Sequence, residues 1–178
     1  MRITPTAIPD VLIVEPDVHE DPRGFFMETY HAKRYKDMGI EVDFVQDNLS
    51  FSVKGTLRGL HYQQPNAQAK LVHAIQGEIF DVAVDIREDS PTFGRWVGET
   101  LSGINKKQFY IPEGFAHGYC VLSDTAMVAY KCSALYSSKE EKGILWNDPN
   151  LNIDWPIINP IVSEKDRNLS SLHNLFKI

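Results

Sequence analysis

Apolar residues along this chain come in short runs broken by Gly, Pro, Asn and Ser. Lys70–Ile75, Gly77–Arg87, Trp96–Leu101, Gln108–Ile111, Gly118–Leu122 and Ala126–Leu135 are rich in β-branched and aromatic residues and bounded by turn formers, which predicts strands of a sandwich or barrel. Successive side chains of a strand point to opposite faces. Phe80, Val82, Val84 and Ile86 therefore share one face, read as core, and Ile79, Asp81, Ala83 and Asp85 share a second, partly polar one. The same spacing groups Ala126, Val128, Tyr130, Cys132 and Ala134 and turns Tyr130 inward. Helix is scarce, with candidates only at Ala32–Met38, closed by Gly39, and at Lys165–Leu175. The expected fold is mainly all-β with a few short helices, running as a single domain over residues 1–178.

Composition narrows the function. A formal net charge of −6 excludes a protein that coats nucleic acid, which needs a broad Lys/Arg surface, yet leaves room for one small anionic ligand held by a few cations. The opening MRITPTAIPD lacks the apolar stretch of a signal peptide, and no apolar run reaches membrane-spanning length. A cytoplasmic protein with no membrane partner is expected. Cys120 and Cys132 lie in strand-like segments without CxxC spacing, so they are expected to be buried thiols rather than a disulfide or zinc ligands.

Three polar clusters are denser than packing requires. In Asp21–Glu28 charged residues bracket Phe25 and Phe26 before a strand-like Thr29-Tyr30; Arg23 offers a planar fork for phosphate oxygens and the rings offer stacking faces. In Val45–Gln63, Gln46 and Asn48 carry both donors and acceptors, as the edge of a pyrimidine requires. Arg58 and His61 are three apart, so a regular strand would point them to opposite faces unless Gly59 makes a bulge. Pro112–Gly118 reads as a turn feeding a strand with His117 at its mouth.

Taken in order, D-x-R-G-F-F-x-E at Asp21–Glu28, FVQDNLSFSVKGTLRGLHYQ at Phe44–Gln63, GEIFDVAVDIR at Gly77–Arg87, PEGFAHGY at Pro112–Tyr119, ILWNDP at Ile144–Pro149 and SEKD at Ser163–Asp166 resemble the dTDP-4-dehydrorhamnose 3,5-epimerases of the cupin superfamily. The resemblance implies a cupin jelly roll, or double-stranded β-helix. It also implies a homodimer in which an amino-terminal segment carries Phe26 to the neighbouring pocket. The implied substrate is a dTDP-linked 4-keto-6-deoxy sugar, on the way to L-rhamnose for surface polysaccharide. Many cupins hold a metal through a His-x-His pair; here His61 is followed by Tyr62 and Gln63, and Lys70 comes next, so no metal and no cofactor are expected.

Inverting a carbon beside a ketone needs a base, an acid on the opposite face and a charge stabiliser. The resemblance assigns His61 as base, Asp166 as its orienting partner, Tyr130 as acid and Lys70 as the cation at the ketone oxygen. It assigns Arg23 and Arg58 to the diphosphate and sugar region, and Glu28, Gln46, Asp47 and Asn48 to the ribose and thymine end. His117, Glu141 and Lys165 complete the pocket, and Tyr136 stacks on the base. The nearest alternatives are a single-carbon epimerase and a ketoisomerase on a related sugar; a binding module without turnover and a metal-dependent oxygenase are more distant.

Overall fold

A computed structural model describes residues 1–177. Its strands are β1 (Arg2–Pro5), β2 (Leu12–Glu15), β3 (Val18–Asp21), β4 (Gly24–Met27), β5 (Gln46–Val53), β6 (Thr56–Gln63), β7 (Lys70–Gln76) and β8 (Glu78–Asp85), then β9 (Trp96–Ser102), β10 (Gln108–Ile111), β11 (Phe115–Val121), β12 (Thr125–Cys132), β13 (Glu141–Gly143) and β14 (Ile161–Val162). Three short helices accompany them: α1 (Ala32–Asp37), α2 (Glu164–Arg167) and α3 (Leu172–Phe176). One sheet runs β1-β2-β10-β7-β12-β5; the other runs β13-β6-β11-β8-β9 with β14 beside β6, and β3-β4 is a separate hairpin. The result is two-layered, as the strand texture predicts, and is the jelly roll that the family resemblance implies.

Between the layers Val72, Ala74, Phe109, Ile111 and Val128 of the first sheet meet Ile79, Ala83, Leu101, Phe115 and Val121 of the second. Burying each such side chain contributes roughly 1.5–3 kcal/mol for the larger ones. The outer face of the second sheet is covered by the chain after β13: Leu60, Val82 and Val84 pack under Ile144, Leu151 and Leu172. On the outer face of the first sheet Leu49, Phe51, Val53 and Ile75 stay exposed.

Four expectations need correction. The alternation of β8 is as read, but its faces are exchanged: the partly polar face with Ile79, Asp81 and Ala83 points between the sheets, while Val82, Val84 and Ile86 lie under the carboxy-terminal cover. Both faces of this strand are buried, and the uniformly aliphatic one is the face whose only task is packing. His117 is not at a strand mouth but inside β11, buried. The Lys165–Leu175 helix is two helices, α2 and α3, separated where Ser170 bridges to Ile144. Thr29 and Tyr30 lie outside any strand; the Tyr30 ring packs tilted against Tyr35 and edge-to-face against Phe44. Cys120 and Cys132 are free and buried, as expected.

Candidate active site

The site begins with an irregularity in β6. His117 of β11 pairs with His61 and Tyr119 pairs with Arg58, so β6 spends one more residue than its neighbour over that stretch. That extra residue is the bulge that brings Arg58 and His61 onto the same side. Gly59 sits at φ +126°, and a Cβ there would lie 2.5 Å from the Gly118 Cα. Only two glycines facing each other allow the strands to approach this closely.

The bulge also helps to seat the carboxylate that holds His61. Parallel pairing of Ile161 and Val162 with Thr56 and Leu57 fastens β14 to β6. The chain then turns at Ser163, whose hydroxyl accepts from the Asp166 N–H at 3.1 Å and caps α2. Asp166, 3 % exposed, accepts at Oδ1 from Nε2–H of His61 at 2.7 Å and at Oδ2 from the Gly59 N–H at 3.3 Å. Burial pushes its carboxyl up, but the His61, Gly59 and Ser163 hydrogen bonds outweigh this and hold it below its ordinary value. With Nε2 engaged, Nδ1 is the nitrogen of His61 left to accept a proton.

Across the interior, on the first sheet, stand Lys70 at the start of β7 and Tyr130 on β12. Lys70 is 8 % exposed and makes no ion pair among the described residues. Burial lowers its ammonium pKa, against the pull of Cys132, Asp81 and Glu141. Tyr130 packs on the core with its phenol pKa raised, chiefly by burial, so the hydroxyl stays protonated near neutral pH. Both groups open onto a cavity of about 480 Å³ that Arg58, His61, His117 and Asp166 also line. An adjoining lobe of about 360 Å³ shares His61, Lys70, Tyr130 and Lys165.

Gln46, Asn48, Tyr136 and Glu141 line that second lobe. Gln46 donates to Asn48 at 2.9 Å and accepts from the Tyr136 N–H at 2.8 Å. The Tyr136 hydroxyl donates to Glu141 at 2.6 Å, and Lys165 pairs with the same carboxylate. Arg58 bonds to Ser52 Oγ at 3.1 Å and pairs with no carboxylate among the described residues, leaving its charge for a ligand. An uncompensated guanidinium at a cavity mouth suits a phosphate.

The model for the family described as dTDP-4-dehydrorhamnose 3,5-epimerase matches residues 5–174. The chain belongs to this family. The dTDP-4-dehydrorhamnose 3,5-epimerase of Shigella flexneri is 59 % identical over 170 residues, covering 94 % of each chain. That of Methanothermobacter thermautotrophicus is 51 % identical over 174 residues, covering 96 % of this chain and 94 % of its own. A solved structure of dTDP-6-deoxy-D-glucose-3,5-epimerase from Legionella pneumophila, in complex with dTDP-4-keto-L-rhamnose, superposes with a TM-score of 0.94 at 53 % identity, covering 97 % of this chain and 93 % of that one.

Not every residue that the family resemblance nominates reaches the cavity of its own chain. Arg23 projects from the β3–β4 hairpin into solvent and pairs with Asp21 at 2.6 Å; Glu28 pairs with Arg34 at 3.0 Å. Phe26, 71 % exposed, borders a groove on the outer side of the first sheet. Asp47 points to that outer side and pairs with Lys131 at 2.8 Å, because its neighbours Gln46 and Asn48 take the inner positions of β5. Conversely, sequence reading passed over Ser50 and Tyr119, whose hydroxyls meet 2.8 Å apart in the cavity wall, and Asp81, which bonds His117. The signal for Asp81 was a carboxylate in the middle of β8, flanked by Ile79, Phe80, Val82 and Ala83.

Proposed function

We propose that this epimerase family member converts dTDP-4-dehydro-6-deoxy-D-glucose to dTDP-4-dehydro-L-rhamnose by inverting carbons 3 and 5 through acid–base chemistry. One observation carries the reading: a carboxylate-backed imidazole on one sheet faces a protonated phenol and, on the same opposite sheet, an ammonium with no ion pair among the described residues, around a single cavity. His61 Nδ1 takes the proton from the carbon beside the ketone. The electrons of that C–H bond move to the ketone oxygen, and the resulting enolate is stabilised by the buried Lys70 ammonium. Tyr130 then gives its proton to the opposite face of the same carbon, which inverts it. Asp166 supports the imidazolium formed in the first step.

In this reading Arg58, Gln46, Asn48, Tyr136, Glu141, Lys165 and His117 bind the nucleotide and sugar, so that remote contacts position the ring for proton transfer. A homodimer belongs to the same proposal. The exposed Phe25 and Phe26 of the hairpin and the apolar stripe Leu49, Phe51, Val53 favour a second copy, whose approach would bring Arg23, Phe26 and Glu28 to the cavity rim. The cytoplasm is the compartment that a nucleotide-linked substrate favours; among the described residues no helix is long and apolar enough to cross a membrane.

The test is incubation with dTDP-4-keto-6-deoxyglucose in deuterated water, coupled to a downstream reductase. Deuterium at both carbons 3 and 5 with formation of the L-rhamno product supports the proposal. Label at one carbon only would make the chain a single-carbon epimerase, and a shifted carbonyl would make it a ketoisomerase.

A further inference from the structure

Beside the His61–Asp166 pair lies a second, deeper one. His117 and His61 are register partners on β11 and β6, and Nε2 of His117 lies 2.7 Å from Oδ1 of Asp81 on β8. Asp81 is 0 % exposed, and its Oδ2 takes no hydrogen bond among the described residues. A buried carboxylate oxygen without a protein donor is costly. Lys70 lines the same cavity as His117 and makes no ion pair among the described residues; the nearby Asp81 charge works to raise its pKa against burial.

We propose that Asp81 is a positioning residue for the reaction: it fixes the His117 ring through Nε2, leaving Nδ1 without a hydrogen bond among the described residues, and it supplies the buried counter-charge to Lys70. The inference rests on the role given to Lys70 above. Burial works against both cations here, lowering the His117 and Lys70 pKa values, and Asp81 opposes that fall in each. A neutral residue at position 81 would leave Lys70 in the cavity wall but weaken its charge when the enolate forms. Asp81 therefore acts on turnover through Lys70 and His117 without touching substrate.

The test is a double-mutant cycle with Asp81→Asn and Lys70→Met. Asn keeps the size of Asp and an oxygen that accepts from His117 Nε2–H. Asp81→Asn alone should lower kcat roughly 10- to 100-fold, with KM and dTDP affinity within about threefold. In the Lys70→Met background the same change should lower kcat by no more than about threefold. Full turnover by Asp81→Asn, or losses that simply multiply in the double variant, would overturn the proposal. So would a lowered Tm with a parallel loss of dTDP affinity, the mark of a structural aspartate. Full turnover by Lys70→Met alone would overturn the Lys70 assignment and this inference with it, which separates the two failures.

Discussion

On the β6 side of the cavity the His61 ring and the Asp166 carboxylate are bonded to the protein, whereas on the β7–β12 side the Lys70 ammonium and the Tyr130 hydroxyl make no hydrogen bond among the described residues. Asp166 is bonded at both oxygens, and its helix is capped and fastened by β14. The first wall holds its geometry without substrate. The second presents donors that only a ligand completes. A base has to be oriented before the reaction starts, while an acid and an oxyanion stabiliser act on charge that appears during it, and preorganised free donors lose nothing to prior partners.

Breaking the completed wall should have the largest effect. His61→Ala should lower kcat by roughly 10⁴-fold, measured in the coupled assay, while dTDP affinity stays within a few fold; comparable loss of binding would mean the ring holds the ligand instead. On the other wall Lys70→Met should lower kcat by roughly 10²- to 10³-fold, the worth of one oxyanion donor. Burial depresses the Lys70 pKa, so its cation is lost as pH rises through a value below that of an ordinary lysine. The alkaline limb of kcat should fall in that range in the parent and vanish in Lys70→Met. Asp166→Asn should cost less, roughly 10- to 100-fold, because the ring remains but its tautomer and imidazolium lose their support.

Much of this contrast was present in the chain as text, and the part that was not has physical causes. Period-two alternation placed Tyr130 on the inner row of β12, a local property that the neighbouring strand does not alter. The pairing of His61 with Asp166 came from the family motifs Arg58–Gln63 and Ser163–Asp166, since nothing in either segment alone predicts a contact across 105 positions. The bulge at Gly59 depends on Gly118, a non-local partner, and so stayed open. The faces of β8 were exchanged because burial on both sides defeats the rule that the more apolar face is the inner one. Arg23, Phe26 and Glu28 stand away from the cavity of their own chain, which residue spacing within one chain does not foretell.

A carboxylate outside both walls serves as the smallest-effect control. Burial pushes Asp85 up, but Arg87, Ser90 and Thr92 outweigh it and hold its pKa at about 2, below the ordinary carboxylate range. A depressed folded-state pKa gives stability that is present above the unfolded value and lost as pH falls from there through about 2. Asp85→Asn should remove roughly 2 kcal/mol at neutral pH and flatten the acid dependence of unfolding in that window. Turnover of the folded fraction should stay within about twofold; a large loss of kcat would tie this loop to the chemistry.

The most direct test of opposed walls is the ratio of solvent exchange to inversion in Tyr130→Phe, followed by NMR in deuterated water. With His61 intact and no acid across the ring, the base should remove a proton and return a deuteron to the same face. Label should then enter beside the ketone while inversion slows by roughly 10²-fold or more. Inversion at the parent rate, or loss of exchange together with inversion, would contradict an acid at Tyr130 opposite a base at His61.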